Sequence, residues 1–339
     1  MVGGLRRLTG ALAVLLLVSG CATAISGSPR PAPDAGKTGR STPASARPAT
    51  DTAAGLLGEL TTIDPCSLTD TKDLSSFGTV EVGEPDSLDD CLIEIKTSAP
   101  VPVALYVGGL DRSESWPEIN VKRGRDLANG LKVVEYDTDD TYCNHLVVFP
   151  DGITLSVNAS IYEGTERRLC DIVTSAVDTA VEAIKDGDVR HRDYARNSLG
   201  RIDPCELVPD AAVAAVPGLG TSVRPKDYPA EHGCAWTAAD NSVRLRVMFI
   251  AGQPPKPTGE GAGESQVAGR ASVLSPTPEA GAYVFCGQQT GHIAFRAEGQ
   301  SGLVEIAAVF VRMKEGQIDA ACKAATDVAT LVWPKLPRT

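Results

Sequence analysis

The chain has 339 residues, of which 42% are hydrophobic, 22% are charged and only 5% are aromatic. That length predicts two or three domains, and the composition predicts globular cores built mainly from Val, Ala, Leu and Ile. The net charge of −11 excludes the strongly basic balance that is typical of nucleic-acid-binding proteins.

The excess of acidic side chains is confined to the middle of the chain. Residues 56–190 carry 11 basic and 26 acidic side chains, whereas residues 191–339 carry 15 of each. We therefore expect no nucleic-acid partner. The acidic surface is interpreted as a solubilising face, and binding of a basic partner or a weakly held cation is the alternative.

Residues 1–20 are predicted to be a signal peptide. Arg6 and Arg7 precede an apolar run from Leu8 to Val18, which is too short for the roughly 20 residues that span a bilayer. The run ends in Val18-Ser19-Gly20-Cys21 and resembles the bacterial lipoprotein signal. That resemblance implies cleavage before Cys21 and a diacylglyceryl thioether on its sulfur, which would anchor the chain to the membrane without spanning it. The alternative is an ordinary signal peptide.

Residues 21–57 are predicted to be a disordered, lipid-anchored tether. The stretch is rich in Ala, Ser, Thr, Pro and Gly, and from residue 22 to residue 55 Ile25 is the only large apolar side chain. Such a segment buries too little surface to offset the entropy lost on ordering. A flexible chain of this length has a reach of about 30–35 Å, which would lift the folded part clear of the lipid headgroups.

The remainder of the chain contains an internal duplication. Ile-Asp-Pro-Cys occurs at residues 63–66 and again at residues 202–205, and each copy begins a block with four cysteines. In both blocks the second and third cysteines lie 52 residues apart. We therefore predict a first repeat at residues 58–190 and a second repeat at residues 191–339.

The eight cysteines of the repeats are predicted to form disulfides, because a chain that has crossed a membrane enters an oxidising space. No metal site is expected, since the sequence has no Cys-x-x-Cys pair. Four cysteines per block allow three pairings. We favour first with second and third with fourth, which gives the shortest loops: Cys66–Cys91, Cys143–Cys170, Cys205–Cys234 and Cys286–Cys322.

Each repeat is predicted to run helix, antiparallel strands, helix, an α+β arrangement of a sheet flanked by an N-terminal and a C-terminal helix. Asp-Pro at each start is typical of a helix cap followed by the first turn. The predicted N-terminal helices span 69–77 and 209–216. The C-terminal helices begin near the fourth cysteine of each repeat, where apolar residues recur at helical spacing.

Strands are predicted between these helices, and a charged linker between the repeats at residues 185–201. Alternating apolar residues, as in Val243 to Ile250, indicate strands with one buried face. The predicted strands are 91–95, 101–107, 131–136, 144–149 and 154–160 in the first repeat, and 234–236, 243–250, 271–274, 292–297 and 303–311 in the second.

The chain resembles a group of actinobacterial cell-envelope lipoproteins that carry a small disulfide-bonded domain of unknown function. Four features support the resemblance: the lipoprotein signal that ends in Cys21 (the lipobox), the Pro/Ser/Thr tether, the Asp-Pro-Cys motif and a later Cys-x-Trp. The second repeat matches with Asp203-Pro204-Cys205 and Cys234-Ala235-Trp236. The first repeat departs, because Cys91-Leu92-Ile93 lacks the tryptophan. The resemblance implies architecture and location, and it brings no catalytic residues and no cofactor.

No catalytic or metal-binding constellation is recognised in the sequence. The chain has only four histidines, and we interpret His145 and His292 as surface residues of strand edges, His191 as a linker residue and His232 as a loop residue. Nucleophile elbows, phosphate loops and zinc-protease helices are missing from the sequence. Asp137-Thr-Asp139-Asp140 is interpreted as a solvated turn rather than a weak cation site.

We therefore expect a non-enzymatic binding or sensing module on the outer face of the bacterial cytoplasmic membrane. Its expected partners are the membrane, through lipid on Cys21, and an unidentified envelope ligand or protein. The alternative is a structural or accessory lipoprotein that assists an envelope complex, and a cell-wall hydrolase ranks third. Trp236, beside a cysteine, is interpreted as core packing rather than a ligand platform.

Overall fold

The computed structural model describes residues 51–115, 121–136, 139–220, 223–278, 282–297 and 300–339. The predicted signal peptide and Cys21 lie outside these residues, as does the tether up to residue 50. Within the described ranges, no helix is both long enough and apolar enough to cross a membrane.

The first half contains an antiparallel sheet of seven strands. Their spatial order is β1-β2-β3-β7-β6-β5-β4. The strands are β1 (Thr79–Val82), β2 (Asp90–Lys96), β3 (Val103–Arg112), β4 (Val121–Asp126), β5 (Lys132–Tyr136), β6 (Tyr142–Val148) and β7 (Ile153–Ser160).

The second half contains another antiparallel seven-stranded sheet with the same topology. Its spatial order is β8-β9-β10-β14-β13-β12-β11. Each strand therefore occupies the position of the first-sheet strand whose number is lower by seven. The strands are β8 (Lys226–Asp227), β9 (Gly233–Thr237), β10 (Arg244–Gly252), β11 (Gly263–Val267), β12 (Arg270–Pro278), β13 (Tyr283–Ala294) and β14 (Val304–Lys314).

One long helix packs against one face of each sheet. Helix α2 (Leu169–Asp186) contacts β6 and β7, and helix α5 (Ile318–Val332) contacts β12, β13 and β14. Both helices bury a stripe of alanines and branched residues, as the helical spacing predicted. Helix α2 ends at Gly187, which adopts φ 74° and returns its N–H to the Ala183 carbonyl. The α+β class with antiparallel sheets is therefore confirmed.

The N-terminal helix predicted for the first repeat is wrong. Residues 69–77 contain no α-helix; a 3-10 turn at Pro65–Leu68 precedes the segment, and another at Ser75–Phe77 ends it. The Asp70 carboxylate accepts from the Lys72 N–H at 2.8 Å, and such local bonds compete with helix formation. In the second half, α3 (Pro204–Leu207) and α4 (Asp210–Ala215) are helical but short.

The folded region begins earlier than the predicted end of the tether at residue 57. Residues Ala53–Leu57 form helix α1, whose start is capped by the Thr52 hydroxyl accepting from the Gly55 N–H at 3.0 Å. Ala53 and Leu57 are buried in the first core. Burial of these two apolar side chains therefore joins the last residues of the polar stretch to the folded first half.

The predicted linker is also packed rather than free. Helix α2 extends through Asp186, so it takes up the first two residues of the predicted 185–201 segment. Tyr194, Ser198 and Leu199 are buried, and His191 forms a β-bridge with Ile63. The polar composition concealed this packing because the few apolar residues here are widely spaced.

Strand β13 starts at Tyr283, nine positions before the predicted start at residue 292. Its glycines gave the appearance of a loop, but Gly287 and Gly291 both pair with β14. The prediction also missed β1, β4, β8 and β11. All four are the outermost strands of their sheets.

The disulfides are Cys66–Cys91, Cys143–Cys170, Cys205–Cys234 and Cys286–Cys322. These are the favoured pairings, and they recur at equivalent places. The second strand of each sheet is joined to the turn or helix at the start of its half, and the sixth strand in sequence is joined to the long helix. Each half is thus crosslinked twice across its core.

Removal of the bond between β13 and α5 should destabilise the second half. The bond closes a loop of 36 residues, for which chain entropy gives a stabilisation of about 3–4 kcal/mol. We expect the double variant Cys286→Ala/Cys322→Ala to lose about this much free energy of unfolding in urea, followed by tryptophan fluorescence.

The matched control is Cys143→Ala/Cys170→Ala, since that bond occupies the same place in the first half. It should leave the emission of Trp236 and Trp333 unchanged at low denaturant. A loss below about 1 kcal/mol in the first variant would contradict the entropic account.

Candidate functional site

A seam of polar contacts joins the two halves around His232. This residue precedes β9, and its side chain is 3% exposed. Its Nδ1 lies 2.6 Å from Oδ1 of Asp89 in the first half, and its Nε2 lies 3.3 Å from the Gly200 carbonyl. Both ring nitrogens therefore face acceptors, an arrangement that suits a doubly protonated imidazolium.

The segment between the halves reinforces this seam. Arg192 donates to the Leu88 carbonyl and to Asp64 Oδ1, both at 3.3 Å. Its guanidinium carbon lies 5.0 Å from the centre of the Phe295 ring. Leu88 itself is buried in the core of the second half, so the contact between the halves is apolar as well as charged.

The surroundings of the seam raise the pKa values of His232 and Asp90. Burial lowers the pKa of His232, but the charge and hydrogen bond of Asp89, together with the Gly200 carbonyl, outweigh it and raise the pKa above 6.5. Burial raises the pKa of Asp90 to about 7, and the charges of Asp89 and Asp86 add to that effect. Both groups therefore keep their protons to a higher pH than they would in water.

A small pocket of about 300 Å³ opens next to His232. Glu59 and Glu231 supply carboxylates, Arg201 supplies a guanidinium, and Thr61 and Thr62 supply hydroxyls. Burial raises the pKa of Glu231, and the charges of Asp203 and Glu59 contribute. The volume of this pocket lies at the lower end of the range of small-molecule sites.

A larger groove of about 1030 Å³ lies on the second half, where β11, β12 and β13 meet the end of the chain. Its lining is hydrogen-bonding rather than aromatic, with hydroxyl, amide and charged side chains between stretches of glycine, alanine and proline. The polar members are Glu264, Ser265, Gln266, Arg270, Ser272, Gln289, Thr290, Arg338 and Thr339. Such a lining can orient a polar ligand through several hydrogen bonds.

The floor of the groove is held in place by buried polar contacts. Arg270 donates to the carbonyls of Leu336 and Pro337, at 3.4 Å and 2.5 Å, which fixes the chain end beside β12. Burial lowers the pKa of Arg270. Trp333 donates its indole N–H to Ser272 Oγ at 3.1 Å, so this hydroxyl is already engaged.

Two of the histidines are less exposed than the sequence interpretation held. His145 is 3% exposed, because β6 lies inside the sheet and not at its edge. His292 is half-buried, and its Nε2 lies 2.6 Å from the Asn197 carbonyl. His191 is exposed, as expected for a surface segment, and contacts the Thr62 hydroxyl at 3.0 Å.

Among the contacts described for the buried histidines, no free cysteine thiol occurs. His145 Nε2 lies 3.8 Å from Cys143 Sγ, and Cys170 completes a cluster of metal-ligand type. However, both sulfurs are consumed by the Cys143–Cys170 disulfide and cannot act as thiolates. At His232 the place of a nucleophile is taken by the Gly200 carbonyl.

The remaining sequence candidates behave as solvated or packed residues. Asp139 Oδ1 accepts from the hydroxyl and N–H of Thr141 and from the Tyr142 N–H, which lowers its pKa. Asp137 lies outside the described residues. Trp236 is 4% exposed and belongs to the second core, in line with the packing interpretation.

Sequence reasoning missed the seam and the groove. Asp89 and His232 are 143 residues apart, so no local motif connects them. The groove residues are ordinary strand positions whose proximity depends on the order of β11, β12 and β13.

Stability should fall as pH rises, for two separate reasons. Folded His232 holds its proton more tightly than the unfolded chain, so its contribution is complete below about pH 6.5 and is lost as pH rises through the folded pKa. Asp90 prefers its neutral form when folded, so its ionisation costs stability between about pH 4 and pH 7. We expect the melting temperature to decrease from pH 5 to pH 9.

Single variants separate the two groups. His232→Gln should flatten the dependence above pH 6.5, and Asp90→Asn should flatten it below pH 7. His191→Gln is the matched control, because that ring is exposed, and it should retain the wild-type profile. A wild-type melting temperature that rises from pH 6 to pH 9 would contradict the assignment.

The comparisons with known proteins do not assign the chain to a family. No protein-family model matches it, and no curated protein matches it. A search of solved structures finds the crystal structure of DynU16, a protein in the dynemicin biosynthetic locus. The two are 11% identical over 79% of this chain and 91% of that chain, with a TM-score of 0.15. So low a TM-score carries no argument about fold or function.

Proposed function

We propose that the protein is a lipid-anchored, extracytoplasmic binding module of the bacterial cell envelope. The observation that carries the proposal is the groove of about 1030 Å³, whose hydroxyl and amide side chains suit a polar ligand. The disulfides favour an oxidising compartment. The lipobox at residues 18–21 supports the anchor.

Each half is proposed to be one copy of a duplicated domain, with a sheet, a long C-terminal helix and a short N-terminal helix or turn. The shared strand order and the matching disulfides support this view. Duplication is useful for binding, because two copies of one scaffold present two surfaces that can differ in charge.

Binding is favoured over hydrolysis by the contacts of the two buried histidines. In the described residues, His145 meets a disulfide sulfur and His232 meets a carboxylate and a carbonyl. A hydrolase needs a nucleophile within reach of such a base. The proposal accordingly assigns the groove to recognition.

Filling the groove should abolish ligand capture. Ala271 is exposed on β12 and lines the groove, so Ala271→Trp places an indole in it without disturbing the core. We expect the wild-type chain, immobilised in detergent, to retain a specific molecule from a cell-envelope extract, and this variant to lose it. Mass spectrometry of the eluate makes the measurement.

The matched control is Ala294→Trp, because Ala294 is equally exposed at the end of β13 and does not line the groove. It should capture as the wild type does. Repeated elutions that contain no specific molecule would contradict the binding proposal. Equal capture by both variants would show that the ligand binds outside the groove.

Anchoring is tested separately. Cys21→Ala should eliminate labelling by a palmitate analogue and move the protein out of the membrane fraction, since the thioether cannot form. Ser19→Ala keeps a small residue in the lipobox and should remain lipidated. Membrane association that is unaffected by Cys21→Ala would contradict the lipoprotein assignment.

A further inference from the structure

Three arginines stand together on the sheet face of the second half that α5 does not cover. Arg244 and Arg246 lie on β10, and Arg312 lies on the neighbouring strand β14. Their strand neighbours Leu245 and Val311 point into the core, so the arginines share the opposite face. We call this set the arginine face.

The register brings like charges together at the centre of the sheet. Arg244 pairs directly with Arg312 across the two strands, and Arg246 follows two positions along β10. Like charges at directly opposed positions destabilise a sheet. The cluster is therefore a cost to the fold, which a bound anion would offset.

Within the part of the chain that the structure describes, none of the three arginines has a carboxylate partner. Arg244 donates to the Tyr228 hydroxyl at 3.3 Å, and Arg312 donates to the backbone and side-chain oxygens of Asn241, at 2.6 Å and 2.7 Å. In the described part of the chain, the Arg246 guanidinium forms no hydrogen bond and no ion pair.

Unsatisfied donors mark the same place. The Nε atoms of Arg244, Arg246 and Arg312 are all buried without a hydrogen-bond partner in the described structure. On the neighbouring strand β8, Lys226 is already paired with Asp111 of the first half, at 2.6 Å. The terminal N–H groups of Arg246, which form no hydrogen bond among the described residues, thus remain for an incoming oxyanion.

Aromatic rings border the arginines. Phe310 pairs with Arg246 in the ladder, and its ring covers Gly287 so closely that a methyl group there would lie 2.9 Å from Phe310 Cε1. Phe285 pairs with Arg312, whose guanidinium carbon lies 4.5 Å from the centre of the Tyr283 ring. Flat apolar surfaces therefore adjoin the charged donors.

We propose that the arginine face binds the phosphate group of a small phosphorylated ligand, with a ring of that ligand packed on Phe310 and Phe285. Guanidinium groups suit phosphate because they donate paired N–H groups. The three side chains are only partly exposed, so a small ligand can enter between them more readily than a flat lipid surface can. The face is separate from the groove and goes beyond the proposed function.

The corresponding positions of the first half supply an internal contrast. Strands β3 and β7 occupy the places of β10 and β14, and their open face carries Ala104, Tyr106, Asn158 and Ser160. None of these is basic. The arginine face is therefore a property of the second copy and not a requirement of the scaffold.

Isothermal titration of the purified chain at low salt tests the proposal. The probes are glucose 6-phosphate, glycerol 3-phosphate, inorganic phosphate and glucose. We expect glucose 6-phosphate to bind most tightly, glucose not to bind, and added salt to weaken binding. Arg246→Gln should reduce the affinity for glucose 6-phosphate roughly ten- to a hundredfold, because a hydrogen bond to a charged group is lost.

Arg296→Gln is the matched control, because Arg296 is exposed and lies beyond the end of β13. It removes the same charge and should leave affinity unchanged. Ala271→Trp should also bind normally, which separates this site from the groove. Saturable binding that is equal in Arg246→Gln and wild type would overturn the site. Tighter binding of glycerol 3-phosphate than of glucose 6-phosphate would overturn the choice of a ring-bearing ligand.

A stability measurement distinguishes a ligand site from a structural role. Because Arg246 has no partner among the described residues, Arg246→Met keeps the packing of its stem and removes the repelling charge. We expect an equal or higher melting temperature than wild type, together with loss of phosphate binding. A lower melting temperature would show that the guanidinium supports the fold, and would overturn the proposal.

Discussion

The structure depends on the burial of one face of each sheet under a single long helix. Helices α2 and α5 supply the alanine and branched side chains that complete the two cores, and apolar burial of this kind is the main favourable term in folding. Aromatic residues are few, so each core is filled by small side chains that require close approach of helix and strand. The disulfides from β6 to α2 and from β13 to α5 hold that approach at one point in each half.

One-sided coverage has a consequence for where ligands can bind. Packing restricts the side chains on the helix-covered face, because a change of even one methylene group in a close-packed core alters stability. The opposite face and the outer strands carry no such restriction. Both the groove beside β11 and the arginine face on β10 and β14 lie in these less restricted regions.

Much of this architecture could be predicted from the sequence because it rests on local signals. The repeated Ile-Asp-Pro-Cys, the equal cysteine spacing and the helical periodicity after Cys170 each have a direct structural counterpart. Interior strands can be recognised in the sequence because apolar and polar residues alternate, as in Val243 to Ile250. Outer strands lack this signal: β4 has the sequence Val-Lys-Arg-Gly-Arg-Asp, without apolar alternation, and its residues 123–126 are exposed.

The sites could not be predicted in the same way, for a different physical reason. The pair formed by Asp89 and His232 exists only because the halves meet, and a meeting of this kind leaves no trace in local composition. Arg244 and Arg312 lie 68 positions apart in the chain. Their adjacency follows from the register of β10 with β14, which sequence periodicity does not determine. A block with equal numbers of acidic and basic residues thus conceals a concentrated positive face.

The two halves show how one scaffold can carry different charges on its outer strands and faces. In the first sheet, Glu81 and Glu94 pair across β1 and β2, and Asp90 lies further along β2. In the second sheet, the exposed side of the central strands is basic. Because these positions contribute little to either core, their charge can change without loss of the fold. At the seam several charges are complementary: acidic Asp89 and Asp111 of the first half meet basic His232 and Lys226 of the second, and basic Arg112 of the first half meets Asp227 of the second. Complementarity of this kind fixes the pairing of the halves while leaving their outer faces independent.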